Sequence, residues 1–166
     1  SAAVGGTATA SSWDRAVEGY VRHLVDAHGS LRGLRVVLDT ANGAMHQVAP
    51  AVFAALGAEL TVIHAAPDGR NINHECGATH TASLSAAVVA NGADLGLAFD
   101  GDGDRVIAVD HLGRVIDGDR LIALAALQLR ELGELRHDTV VVTVMSNIGF
   151  HRAMAAAGVH VVTTAV

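Results

Sequence analysis

One pattern occurs twice in this chain and restricts its fold more than any other feature. An apolar strand-type run is followed by an Asn-Gly-type turn, a helix, a glycine and a second apolar run. The first copy reads Leu34 to Leu38, Asn42-Gly43, a helix around Val48 to Leu56, the stop Gly57, and Leu60 to His64. The second reads Val140 to Val144, Ser146-Asn147-Ile148-Gly149, an Ala-rich helix to Gly158, and Val159 to Thr163. Strands joined through helices make α/β modules, so two related modules are expected. The second breaks off at Val166 before its sheet could close, which predicts a truncated product.

The stretches between fill in the first module. Residues 1 to 12 have a Ser/Ala/Gly/Thr linker composition, expected to follow something upstream. Trp13, Val17, Tyr20, Val21, Leu24 and Val25 recur at helical spacing, with Ser11 or Ser12 as N-cap and Gly29 as stop. Pro67 to Thr79 is too rich in Gly and Asn for regular structure. A helix is expected over Ala82 to Ala90, stopped by Asn91-Gly92, then a buried strand from Leu95 to Phe99. Val106 to Asp110 and Arg114 to Asp117 read as a hairpin through His111-Leu112-Gly113, and Asp119 as the N-cap of a helix from Arg120 to Leu132.

Composition removes several function classes. The chain is 51% hydrophobic but only 3% aromatic, which suits helices laid on a buried sheet and offers little for base stacking. Net charge is −6 and all 11 basic residues are Arg, so no clustered basic face invites nucleic acid. Without Lys there is no Schiff base, P-loop lysine or Ser-Lys dyad. Cys76, the single cysteine, cannot form an internal disulfide or a Cys-rich zinc site. No apolar run reaches the roughly 18 residues of a membrane span, and Ser1 to Ala10 lacks signal-peptide features. A reducing cytoplasm is the expected location.

The chemistry concentrates in Asp100-Gly101-Asp102-Gly103-Asp104-Arg105, directly after an apolar strand. At an effective dielectric near 20 and about 6 Å separation, each pair of like charges costs roughly 3 kcal/mol, which a divalent cation relieves. The two glycines let the backbone curl so that three carboxylates converge. Hard oxygen donors without neighbouring His or Cys favour Mg²⁺ or Mn²⁺ over zinc. A solvated Asp-Gly turn is the bland alternative, but such turns rarely carry three alternating carboxylates. A calcium EF-hand fails because Arg105 stands where its glycine belongs and His111 where its glutamate belongs. Arg105 beside a metal site suits bidentate capture of a phosphate that also touches the ion.

Phe99 to Arg105 resembles the metal loop of the α-D-phosphohexomutases. Further segments narrow the resemblance to their phosphoglucosamine mutase branch: Asp39-Thr40-Ala41-Asn42-Gly43-Ala44, Pro67-Asp68-Gly69-Arg70-Asn71-Ile72-Asn73 with Cys76-Gly77-Ala78-Thr79-His80, Val115-Ile116-Asp117-Gly118-Asp119, and Met145-Ser146-Asn147-Ile148-Gly149. It runs from about Trp13 to the end. The fold it implies is α/β, a three-layer module with a mostly parallel mixed sheet of the phosphohexomutase domain II type, followed by the beginning of a similar module. Residues 1–11 would be linker, 12–117 the metal-binding second domain and 118–166 part of the third.

The enzymes it resembles have four domains and interconvert glucosamine 6-phosphate and glucosamine 1-phosphate through a phosphoserine and a bisphosphorylated intermediate. Asp100, Asp102 and Asp104 match the family's Mg²⁺ ligands, with a phosphoserine oxygen as the fourth. Arg105 matches the arginine that steadies the phosphoryl group. The partners implied are a phosphorylated hexosamine and the remaining domains of the same enzyme, with no nucleic acid and no membrane; oligomeric state is left open. The family's serine motif is of Thr-Ala-Ser-His-Asn type; Thr9-Ala10-Ser11 mimics it, but Ser12 and Trp13 replace His and Asn, so Ser11 is read as a decoy. The chain alone is therefore expected to be inactive.

Two alternatives stand beside this reading: a sibling mutase for mannose or glucose phosphates, and a non-catalytic α/β interaction module. Asn73 and His80 serve loop stability or substrate contact equally well, Cys76 reads as a small buried residue, and Asp39 as a turn cap. The other His residues show no ligand-like spacing.

Overall fold

A computed structural model describes residues 14–166. The 1–11 linker, including Ser11, lies outside the described residues, as do Ser12 and Trp13. The first helix, α1 (Asp14–Ala27), packs on α2 (Met45–Ala55) through its half-buried Val17, Val21 and Leu24 side, while Tyr20 stays exposed.

Five strands form the main sheet: β1 (Arg35–Asp39), β2 (Glu59–Ile63), β3 (Leu95–Phe99), β4 (Val106–Asp110) and β5 (Val115–Ile116). Their order is β2-β1-β3-β4-β5, with the first three parallel and the hairpin strands antiparallel. Alternation of side chains across a strand sends Val36 and Leu38 to the α2 face and Val37 to the other. On that second face α3 (Ala82–Ala90) lays Leu84 and Val88 against Val37, Ala98 and Val109. The result is three layers, helix on sheet on helix. Gly96 sets how closely α3 approaches, because a Cβ there would lie 2.5 Å from Val88 Cγ2 and 2.8 Å from Leu84 Cδ1.

The remaining elements form a second, smaller unit. α4 (Gly118–Glu131), β6 (Thr139–Thr143), α5 (Ile148–Ala156) and β7 (His160–Thr164) surround their own core of Ala126, Val142, Phe150, Met154 and Val159, and β6 pairs parallel with β7. The strand–turn–helix–Gly–strand repeat is thus present in both units. One expectation fails here: Asp117, not Asp119, caps α4. Asp117 has extended backbone and its Oδ1 accepts from Arg120 N at 2.9 Å. Asp119 already sits in the first helical turn, where its carboxylate instead accepts from Asn147 N and Nδ2, both at 2.7 Å. Among the described residues no helix is long and apolar enough to cross a membrane.

Candidate metal centre at the carboxyl edge

The strand order creates the site. From β1 the chain passes through α2 to β2 on one side, then through α3 to β3 on the other side of β1. The loops leaving β1 and β3 therefore diverge, and the crevice between them is where open α/β sheets place ligands. The β3 loop is the acidic run. A groove of about 610 Å³, lined by Asp110, Arg114, Ile116, Arg120, Leu124 and Leu127, lies between the hairpin and α4. It contains none of the acidic loop residues, so the chemistry points to the crevice instead.

Asp100 is buried at 2% exposure, whereas Asp102 and Asp104 are exposed. One oxygen from each of the three carboxylates lies within 4.8 Å of the others, which is the convergence expected from the alternating sequence. Burial would raise the Asp100 pKa, but bonds from Arg105 N (3.0 Å) and Arg105 Nε (2.8 Å) outweigh it and bring it down to about 2. Asp104 moves the other way, raised by its hydrogen bond with Asp100 and then by the charges of Asp102 and Asp100. The smaller, charge-driven part of that shift reflects a loop with three carboxylates and one guanidinium. An all-carboxylate donor set with uncompensated charge fits a hard divalent cation.

Arg105 sits differently from the sequence-based picture of a free phosphate clamp. Its Nε is bonded to Asp100 and lies 3.6 Å from Asp104, so part of the guanidinium is committed to the loop itself. The side chain remains two-thirds exposed, and its two Nη groups make no hydrogen bond among the described residues. The glycines also divide their roles. Gly103 has φ +78°, a conformation that favours glycine, while a Cβ on Gly101 would meet Asn73 Nδ2 at 2.6 Å and Ile72 Cδ1 at 2.7 Å. Gly101 is there for close approach.

The loop rests on the β1–α2 junction. Thr40 O accepts from Gly43 N at 2.8 Å across Ala41 and Asn42, both at positive φ, so the turn centres on Ala41-Asn42 and not on Asn42-Gly43. Gly43 is required for another reason: a Cβ there would stand 2.3 Å from Gly101 O. Ala44 N donates to that same oxygen at 2.8 Å, so the acidic loop occupies the place of an N-cap for α2, whose first residues have no side-chain cap.

Asp39 does more than cap the turn. Fully buried, it accepts from Ala41 N and from Gly77 N, both at 2.9 Å, and so ties the turn to the 71–79 loop. Cys76 is buried beside it, and burial followed by the Asp39 charge pushes the thiol pKa up. Asn73 donates its backbone N–H to Ala41 O at 3.0 Å and supports Gly101, a loop-stabilising role; His80 is exposed and lies 3.1 Å from Thr79 Oγ1.

A model of the α/β/α domain II of phosphoglucomutase/phosphomannomutase matches residues 18–113, and one of domain III matches 117–166. The chain belongs to the phosphoglucomutase/phosphomannomutase family. It is 56% identical over 154 residues to a phosphoglucosamine mutase of Parafrankia sp. (strain EAN1pec), covering 90% of this chain and 33% of that protein. It is 55% identical over 152 residues to a phosphoglucosamine mutase of Moorella thermoacetica, covering 91% and 34%. The chain thus spans about a third of the length of these curated relatives. Its fold superposes with TM-score 0.80 on the crystal structure of a phosphoglucomutase/phosphomannomutase family protein from Burkholderia thailandensis, 28% identical, covering 90% of this chain and 33% of that one.

Proposed function

We propose that this chain is the metal-binding portion of a phosphoglucosamine mutase, which interconverts glucosamine 6-phosphate and glucosamine 1-phosphate through a phosphoserine and a bisphosphate intermediate. The observation that carries the reading is the 56% identity to a relative of that name across 90% of the chain. In this reading residues 12–117 are the metal domain and 118–166 part of the next. The serine and the sugar-binding loops belong to other domains of the longer protein, and the single buried thiol suits a reducing cytoplasm.

Asp100, Asp102 and Asp104 would hold Mg²⁺. When bound, the ion offsets negative charge on the oxygens of a transferring phosphoryl group. The chain's own contribution is positioning. Asp100 fixes the stem of Arg105 through Nε and leaves the Nη groups to face a phosphate oxygen. Gly101 O, bonded to Ala44 N, fixes the loop against α2, so the carboxylates need little rearrangement on binding.

Calorimetric titration tests the metal assignment. Mg²⁺ or Mn²⁺ should bind, weakly, in the presence of a phosphate analogue, and Asp102→Asn should weaken binding on the order of 100-fold. Binding that is indifferent to Asp102→Asn sinks the assignment. A sibling specificity for glucose or mannose phosphates draws support from the family's own description. Comparing turnover of glucosamine and glucose phosphates by the longer protein decides between them.

A further inference from the structure

A second cluster of ligating groups lies on the same edge of the sheet, built from residues far apart in sequence. Asp39 ends β1 and pairs in register with Ile63, the last residue of the parallel neighbour β2, so His64 follows directly beside it. Cys76 arrives from the irregular loop, where Gly77 N is held by Asp39 Oδ2 at 2.9 Å. A carboxylate oxygen of Asp39, a ring nitrogen of His64 and the Cys76 sulfur lie within 4.8 Å of one another. None belongs to the acidic loop.

His64 is the unusual member. Its Nδ1 is shut off from solvent and lies 3.0 Å from Asp39 Oδ2, close enough for an ion pair, yet it makes no hydrogen bond. The direction is wrong for donation, which a distance alone does not reveal. The ring is held in this orientation by its backbone: His64 has φ +50°, and its carbonyl accepts from Thr40 Oγ1 at 2.7 Å and from Asn42 N at 2.6 Å. A non-glycine residue there costs on the order of 1–3 kcal/mol, so the surrounding structure over-determines it. Asp39 and Cys76 are wholly buried, and only the partly exposed His64 side opens towards solvent.

We propose that Asp39, His64 and Cys76 form a second metal site, selective for a borderline divalent ion such as Zn²⁺ and independent of the acidic loop. Ligand lengths of about 2.0–2.1 Å to N and O and 2.3 Å to S place tetrahedral donors roughly 3.3–3.6 Å apart, so the Asp39–His64 pair, at 3.0 Å, needs to open slightly, within a cluster whose donors already lie within 4.8 Å of one another. The outer contacts that such sites require are already present. Ala41 N and Gly77 N orient the Asp39 carboxylate, and Asn42 Nδ2 lies 3.9 Å from the Cys76 sulfur. One N, one O and one S donor select against Mg²⁺, which prefers oxygen alone. Binding replaces the thiol proton with the ion, so one proton leaves to solvent for each ion bound.

Occupancy would reach the acidic loop mechanically. A Cβ on Gly77 would touch Phe99 O at 2.5 Å, so the Cys76-Gly77 segment abuts the residue before Asp100. An ion here ties the ends of β1 and β2 to the 71–79 loop, and both supports of the acidic loop with them.

Cobalt reports the donor set without reference to activity. Co²⁺ added to the reduced 166-residue chain should bind with a sulfur-to-cobalt charge-transfer band in the near ultraviolet, and Zn²⁺ should displace it. Cys76→Ser and His64→Gln should each remove the band or weaken binding on the order of 100-fold, while their unmetallated circular dichroism matches the parent. Asp102→Asn should leave the band intact, which separates this site from the Mg²⁺ assignment. Absence of the band in the parent chain overturns the proposal. So does a band that survives His64→Gln or disappears with Asp102→Asn.

Discussion

The junctions β1–α2 and β6–α5 share a topology but are finished differently. After β6, Asn147 Oδ1 accepts from Phe150 N at 3.0 Å and caps α5 within its own loop, and Asp119 braces Asn147 from α4. Val144, Met145 and Ile148 around it remain exposed. After β1 there is no such side-chain cap. The turn residues Ala41 and Asn42 take positive φ, Asp39 is buried beneath them, and the free end of α2 is met by Gly101 O from the neighbouring strand's loop. A strand–turn–helix unit that caps itself is a structural joint. One that leaves its helix end to be met by an adjacent loop makes a composite edge, and there the carboxylates gather.

Glycine substitutions should separate the two junctions most strongly. Gly43→Ala drives a Cβ to 2.3 Å from a backbone oxygen, where neither partner can rotate away. We expect a loss of about 3 kcal/mol, at the upper end of ordinary overpacking, together with loss of Mg²⁺ binding as the acidic loop is pushed off α2. Gly149→Ala meets only the tip of the Asn147 side chain, at 2.9 Å. The gain in helix propensity offsets a strained cap, and the net change should stay within about 1 kcal/mol. Urea unfolding followed by circular dichroism measures both. Equal losses would show that the first junction is no more tightly composed than the second.

Cap exchange gives a smaller contrast. Asn147→Ala removes the bond to Phe150 N and one of the two bonds to Asp119, and should cost about 1 kcal/mol. Ala44→Ser supplies a capping side chain to α2, but Ala44 has φ −59° and ψ −30°, already helical, and its N–H is taken by Gly101 O. The serine should therefore change thermal stability by no more than about 0.5 kcal/mol. A gain comparable to the Asn147 loss would mean that Gly101 does not act as the cap.

The sequence carried the parts of this edge that depend on local signals. α3 occupies Ala82–Ala90 and β3 Leu95–Phe99 with the expected bounds, because Asn91-Gly92 stops one and the charged run stops the other. The carboxylates converge because strict alternation with glycine leaves the loop few other shapes. What eluded the reading depends on register between distant segments. Gly43 appears as a turn residue until Gly101 O is placed beside it. Asp119 appears as a cap until Asn147, 28 residues on, is seen to use it. Asp39, His64 and Cys76 have no periodicity, and only the parallel pairing of Asp39 with Ile63 brings the first two together.

The smallest expected effect lies at the opposite end of the same strands. Asp94 precedes β3 and accepts from Arg35 N at 2.8 Å, while its own N–H donates to Arg35 O at 2.8 Å, so it fastens the amino ends of β1 and β3. The Arg35 backbone bond lowers its pKa, burial opposes, and the Arg35 charge lowers it further. A folded-state pKa below the unfolded value means that the stabilisation is fully present above the unfolded value, about pH 3.9, and is lost as pH falls through the folded one. Asp94→Asn should accordingly lower stability slightly at neutral pH, where the ionised carboxylate contributes, and flatten the acid limb so that variant and parent converge at low pH. Because this clamp fixes strand register at the end remote from the loops, Mg²⁺ affinity at neutral pH should be unchanged. A tenfold loss of affinity in Asp94→Asn would mean that the carboxyl edge depends on the whole β1–β3 pairing and not on the contact of one loop with the next.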